Sequence, residues 1–300
     1  MTNLSTAGPV VEATDLSYNY GAHGEFHAVK RVNFAVTRGE LYALLGTNGA
    51  GKTTTLETIE GYRAPSSGAV RVFGADPSDR AGVRPRVGIM LQESGFAGDL
   101  SVAESLRLAG AISGRQDTDD RVLGLVDLVG KRDTRVGQLS GGEKRRLDFG
   151  MAIWGTPELV FLDEPTTGLD PTAREQLWDV VADLRGKGTT VILTTHYLEE
   201  AQKYADRIGL MHKGTLEREG SLAELVENEP AHISFVAPSG VDLPLTVSAT
   251  QNGVTRIDST DLQRDLTLLL AWAETGNHRL ERLSATSSSL DDVFRSLSHS

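Results

Sequence analysis

The chain has 300 residues, of which 39% are apolar, a formal net charge of −11 and no cysteine. That length accommodates one large domain and a smaller one, the missing cysteine excludes disulfides and thiolate metal sites, and the acidity argues against a nucleic-acid groove. The first twenty residues carry neither Lys nor Arg and no sustained apolar core, so no signal peptide is expected. The densest apolar run, "LTLLLAWA", is far shorter than the roughly 20 residues of a membrane span, and a soluble protein is expected. The stretch from Ser221 onward has no Lys and reads as a solvated acidic surface.

In chain order, "VVEATDLSYNY" alternates as a strand and "AVKRVNFAV" as its hairpin partner. "ELYALLG" is a short apolar strand ending in glycine, followed by the helix "GKTTTLETIEGY" and the strands "AVRVFG" and "VGIML". From about Glu93 the texture is helical. "SVAESLRLAGAI" opens with Ser101 and Glu104 in capping-box spacing, and "DDRVLGLVDLVG" has helical spacing that runs to Gly130. After "LSGGEKRRLDFGMAIWG" comes the strand "ELVFLDEP". A helix follows Asp170-Pro171, with Leu177, Val180, Val181 and Leu184 on one face and a stop at Gly186. "TTVILTTH" is a further strand, and "MHKGTL" a hairpin turn.

This pattern is α/β: a mixed sheet core with an antiparallel subdomain and a helical insert at about 93–155. A composition shift near Glu227–Pro230 sets a first domain at 1–225 and a small α+β domain at 226–300. In the latter, "HISFVA", "LTVSA" and "RLERLSA" read as strands, and "DLQRDLTLLLAWAE" and "LDDVFRSL" as helices.

Five stretches carry chemistry. "GTNGAGKT", Gly46 to Thr53, fits G-x-x-x-x-G-K-[ST] between a strand and a helix. Glycines let the backbone curl so that successive N–H groups face phosphate oxygens, Lys52 reaches the β- and γ-phosphates, and the Thr53 hydroxyl ligates Mg²⁺. "LVFLDEP" is a buried strand that delivers Asp163 and Glu164 at its carboxyl end, where parallel sheets collect ligands. Asp163 is placed to hold Mg²⁺ and Glu164 to act as a general base; two solvated acids at a strand end is the plainer alternative. His196 ends its strand as a γ-phosphate contact or as a structural histidine. Gln92, just past "VGIML", ligates Mg²⁺, orients water or caps a turn. In "LSGGEKRR", Ser140 opens a helix whose N–H groups suit an anion.

Together, "GTNGAGKTT", Gln92, "LSGGEKRRL", "LVFLDEPTTGLD" and His196 resemble, in order and spacing over about residues 10–220, the ATP-binding cassette of ABC transporters. The resemblance implies an ATP hydrolase with Mg²⁺, acting as a homodimer whose cassettes pair head to tail. ATP would be contacted by Gly46, Thr47, Asn48, Gly49, Ala50, Gly51, Lys52, Thr53 and Thr54 of one copy and by Ser140, Gly141, Gly142 and Glu143 of the other. It implies Tyr20 as the adenine-stacking aromatic, with Tyr18 on the same strand face and core packing as the alternative. It also implies Thr53, Gln92 and Asp163 about the metal, Glu164 as base assisted by Lys52, Gln92 and His196, and Asp170 in the loop that touches the partner. Glu143 departs from the glutamine of many members; its charge is expected to be balanced by Lys144, Arg145 and Arg146, which otherwise form a basic exposed turn. "IEGYRAPSSGAVRVFG", "THYLEEAQKYADRIGLMHKG" and "SLDDVFRSL" are similar to drug and antibiotic exporters. That branch implies a separate membrane permease docked on the helical insert and a place at the cytoplasmic face of the membrane. An importer cassette or a soluble ABC ATPase is the alternative.

Overall fold

The computed structural model describes residues 8–21, 24–92, 95, 97–238 and 240–298. The chain divides into two compact units, Met1–Ser221 and Leu222–Ser300. This division falls slightly earlier than the composition shift, because the short helix at Leu222–Val226 packs against the last helix of the second unit.

In the first unit, β1 (Val11–Tyr20), β2 (Phe26–Val36) and β4 (Ser67–Val72) form an antiparallel sheet in the order β2-β1-β4. The main sheet contains β3 (Leu41–Gly46), β5 (Val87–Met90), β6 (Leu159–Asp163), β7 (Thr190–Thr194), β8 (Arg207–His212) and β9 (Thr215–Gly220), in the order β5-β6-β7-β3-β8-β9. Five of these strands are parallel, and β9 returns antiparallel to β8 through the expected hairpin. Strands covered on both faces read as continuous apolar runs, and β6 and β7 are buried at every residue. Phe34 of β2 stacks on Tyr42 of β3 at 5.3 Å, inside the core that joins the two sheets. The parallel register sets Asp163 beside Thr194 and Leu44 beside Thr194, so β3, β6 and β7 end along one edge of the sheet.

The helices of this unit are α1 (Lys52–Ile59), α2 (Val102–Ser113), α3 (Asp119–Leu125), α4 (Gly141–Ile153), α5 (Pro171–Gly186) and α6 (Leu198–Tyr204). α2 opens with the expected capping box of Ser101 and Glu104. α5 buries Leu177, Val180, Val181 and Leu184, as its spacing requires. α3 is shorter than its apolar pattern: it stops at Leu125 because Asp127 takes a left-handed φ of 51°, and Val129–Lys131 form a 3-10 turn instead. The helices of the insert span 102–153, and Glu93, where the helical texture begins, lies outside the described residues. Arg115 ties the insert to the main sheet, donating from Nε to Trp154 O at 2.5 Å and from Nη1 to Val87 O.

The second unit holds α7 (Leu222–Val226), β10 (Ala231–Val236), β11 (Ala249–Gln251), β12 (Val254–Ser259), α8 (Leu262–Thr275), β13 (Glu281–Thr286) and α9 (Leu290–Ser298). Its antiparallel sheet runs β11-β12-β10-β13 around a core of Ile233, Phe235, Ile257 and Leu269. The expected strand "LTVSA" pairs only from Ala249 onward. Leu243 and Leu245 still pack on the core, but Pro244 between them has no N–H for a ladder. The hairpin partner β12 turns at Asn252-Gly253, both at positive φ, which is a sequence signal that the strand pattern alone misses.

Candidate active site

The loop between β3 and α1 is held by close backbone approaches. A Cβ at Gly46 would lie 2.5 Å from Met211 O, and one at Gly51 2.4 Å from Ala28 O; Gly51 also has φ +100°. Only glycine fits such a position without strain. The opposite side of the loop is open: Thr47, Asn48, Gly49 and Thr53 are exposed, while Ala50 and Thr54 are buried. Lys52 Nζ lies within the loop, donating to Gly46 O at 2.8 Å and Thr47 O at 3.3 Å. Burial holds the Lys52 pKa below the ordinary lysine value, against the opposing pull of Glu164 and Asp163. The lysine and both acids therefore share one electrostatic site.

Asp163 closes β6 and is almost fully buried, with Oδ1 accepting from the Thr194 hydroxyl. Burial is the main cause that raises its pKa; Thr194 and Arg145 oppose it. Glu164 sits one residue beyond the strand at φ +50°, a conformation that costs a non-glycine residue energy and concentrates at functional sites. Its backbone N–H donates to Thr194 O at 2.9 Å. Its Oε2 accepts from Thr167 Oγ1 at 3.3 Å and lies 3.1 Å from His196 Nδ1. The His196 ring packs on Tyr197 at 4.0 Å and is half exposed.

Ser140 is the N-cap of α4. Its hydroxyl accepts from Glu143 N at 3.2 Å, and Glu143 Oε2 accepts from Ser140 N at 2.8 Å. Glu143 Oε1 also lies 3.0 Å from Lys131 Nζ. The Ser140 N–H and then Lys131 pull the Glu143 carboxyl down to about 2. The charge of Glu143 is thus balanced by Lys131 and the cap, not by its basic neighbours in sequence. Nor are those neighbours a uniform exposed turn, because Arg145 is buried and donates to the backbone carbonyls of residues 91, 92 and 163–165. Arg146 donates to Asp127 O at 2.9 Å and Oδ2 at 2.7 Å. Ser140 and Gly141 are exposed, and a Cβ at Gly141 would meet nothing within 4 Å.

Tyr20 is half-buried, its hydroxyl 3.1 Å from Thr54 Oγ1, with Tyr18 edge-on at 4.9 Å and the Arg63 guanidinium 5.2 Å from its ring centre. Gln92 is exposed beyond β5, its carbonyl held by Arg145 at 3.2 Å. Asp170 caps α5 by accepting from Ala173 N at 2.9 Å. Two residues work beneath the site in a way that motif reading did not anticipate. Arg145 is one. The other is buried Glu200, which accepts from Thr166 Oγ1 at 2.6 Å and Thr195 Oγ1 at 3.0 Å. It joins the loop after Glu164 to the residue before His196.

Comparison with known proteins accords with this geometry. Residues 29–167 match the family described as ABC transporter, and residues 231–289 match the C-terminal domain of ABC transporter domain-containing protein-like. The chain is 39% identical over 214 residues to the Nod factor export ATP-binding protein I of Paraburkholderia xenovorans (strain LB400), covering 69% of this chain and 70% of that protein. It is 36% identical over 288 residues to the daunorubicin/doxorubicin resistance ATP-binding protein DrrA of Streptomyces peucetius, covering 90% and 87%. A dimeric ATP-binding cassette solved in a post-hydrolysis state with ADP and Pi superposes with a TM-score of 0.65 at 25% identity, over 70% of this chain and 98% of that one. The chain belongs to the ABC transporter family, as a cassette that binds and hydrolyses ATP. Among the described residues, no helix is long and apolar enough to cross a membrane.

Proposed function

We propose that this chain is the ATP-hydrolysing subunit of an exporter, working as a pair of cassettes with ATP between Gly46–Thr54 of one copy and Ser140–Glu143 of the other. The observation that carries the reading is the Glu164–His196 pair at 3.1 Å, on strand ends that share a site with Lys52. Glu164 takes the proton of the attacking water, and His196 holds the Glu164 carboxylate beside the γ-phosphate. Lys52 and the loop N–H groups balance charge on the phosphates. Thr53, Gln92 and Asp163 offer only oxygen donors with a single carboxylate, a set that fits Mg²⁺ shared with phosphate oxygens. When bound, the ion neutralises phosphate charge. The exposed start of α4, open above Gly141, supports presentation of the signature to a second copy. Tyr20 stacks on adenine, and Asp170 lies at the cassette–cassette contact.

Export rests on the printed functions of the relatives, Nod factor export and daunorubicin/doxorubicin resistance. A groove of about 660 Å³ supports docking of a separate membrane subunit on the insert. Tyr62, Arg84, Ile89, Leu108, Ile112 and Met151 line it, with Ile112 79% exposed. With that subunit bound, the chain sits at the cytoplasmic face of the membrane. The test is Glu164→Gln. ATP binding to the purified chain is expected to be retained while turnover falls by about 10²-fold or more. A variant that still turns over at the wild-type rate removes the general-base role.

A further inference from the structure

The geometry points to Arg145 as a positioning residue of ATP hydrolysis, one that fixes the strand end carrying Asp163 and Glu164, and the loop carrying Gln92, to the helix that begins at Ser140. The inference rests on the roles of Glu164 and Ser140 proposed above.

A guanidinium carries five N–H donors in a rigid planar fork. Here each meets a backbone carbonyl. Nη1 donates to Leu91 O at 2.8 Å and Gln92 O at 3.2 Å. Nη2 donates to Glu164 O at 2.7 Å and to Asp163 O. Nε donates to Pro165 O at 3.3 Å. Asp148, nearly one turn along α4, lies 3.6 Å away as counter-charge. One side chain thus reaches two loops that are more than seventy residues apart in sequence.

Packing alone does not require this arrangement. A buried charge is expensive to desolvate, and filling the space beneath α4 asks only for volume at this position. What the guanidinium adds is a fixed link between backbone segments. The peptide groups around Glu164 are held on both sides, its N–H by Thr194 O and its carbonyl by Arg145, while φ is kept at +50°. Removing the Arg145 contacts leaves Glu164 free to relax from that conformation. Ser140 lies five residues upstream on the same helix, so any shift of α4 as its start gains or loses a phosphate in the partner's site is passed to Glu164 and Gln92. Neighbouring Arg146 turns instead to Asp127 and takes no part.

The test uses the purified full chain with Arg145→Lys and Arg145→Ala. Lysine keeps the charge but offers a single donor centre in place of the fork. Both variants are expected to bind fluorescent mant-ATP as monomers with wild-type affinity. Arg145→Lys, which keeps a positive charge beside Asp148, is expected to keep its Tm within a few degrees, and Arg145→Ala to lose more because it leaves buried carbonyls without a donor. Their kcat is expected to fall by about 10- to 100-fold with little change in KM, as misplacement of a catalytic group on the order of 1 Å produces. Millimolar guanidinium is expected to raise the kcat of Arg145→Ala and not that of wild type. Three results overturn the inference: kcat within twofold of wild type, a kcat loss that follows a fall in Tm without guanidinium rescue, or failure of both variants to fold. A wild-type chain that binds mant-ATP but does not turn ATP over defeats the reading of the site itself, and is distinguished by that control.

Discussion

At the scale of single residues, the site sets charges in low-dielectric surroundings and balances them unevenly. Lys52 is held below its ordinary pKa by burial and Asp163 above its own, so both are biased toward neutrality and respond strongly to an arriving charge. Glu60, at the end of α1, is a further buried acid. Burial first, and Asp163 second, push its pKa up to about 8, with Arg84 opposing. An acid whose pKa is raised on folding keeps a proton that the unfolded chain has lost, so its contribution to stability falls as pH rises from about 4.5 to 8. Glu60→Gln, a neutral isostere, is therefore expected to match wild type near pH 5 and to exceed it by on the order of a few kcal/mol at pH 8.5. Thermal denaturation at both pH values measures this. A constant difference in Tm between the two would show that Glu60 is not held protonated.

At the scale of elements, α4 is a helix whose start is doubly secured. The reciprocal bonds of Ser140 and Glu143 satisfy two free backbone donors, and Lys131 anchors the same carboxylate from outside the helix. Glu143→Ala is expected to destabilise the chain by about 1 kcal/mol at neutral pH. The sign with pH is opposite to that of Glu60. The Glu143 carboxyl is pulled down to about 2, so its contribution is full above the ordinary carboxylate range and lost as pH falls toward 2. The difference in Tm between Glu143→Ala and wild type should thus narrow from pH 7 to pH 3.5, and a widening gap would contradict the cap. Much of this element was legible. Ser140 with Glu143 three residues on is a capping-box spacing, and α2 declares itself the same way through Ser101 and Glu104. Arg145 was less legible because three consecutive basic residues read as surface. Yet Arg145, Asp148, Phe149 and Ala152 follow the helical period, and all are buried on one face. The end of α3 was not legible, since the left-handed Asp127 breaks a run that remains apolar.

At the scale of the whole molecule, the sequence names the parts of the site more readily than their meeting. Gly46–Thr53 and Asp163-Glu164 are each contiguous, and local chemistry suffices to read them. That β3 and β6 both flank β7, so that Asp163 meets Thr194 and Glu164 meets His196, follows from strand order, which no local pattern encodes. The exposed face of α2 is the other large-scale feature. If the groove there receives the membrane subunit, Ile112→Asp should reduce recovery of that subunit when the tagged chain is isolated from gently solubilised membranes of its host. ATP turnover of the isolated chain should stay within about twofold, since surface changes away from a site perturb it little. Unchanged recovery would move the docking surface elsewhere.

In the proposed function, ATP joins two cassettes, with the signature acting on the partner's nucleotide. The most direct measurement is the mass of the purified chain in solution with ATP and Mg²⁺, for Glu164→Gln and for Glu164→Gln with Ser140→Arg. A dimer is expected for the first and a monomer that still binds ATP for the second. A double variant that remains dimeric, or that loses ATP binding as a monomer, would contradict it.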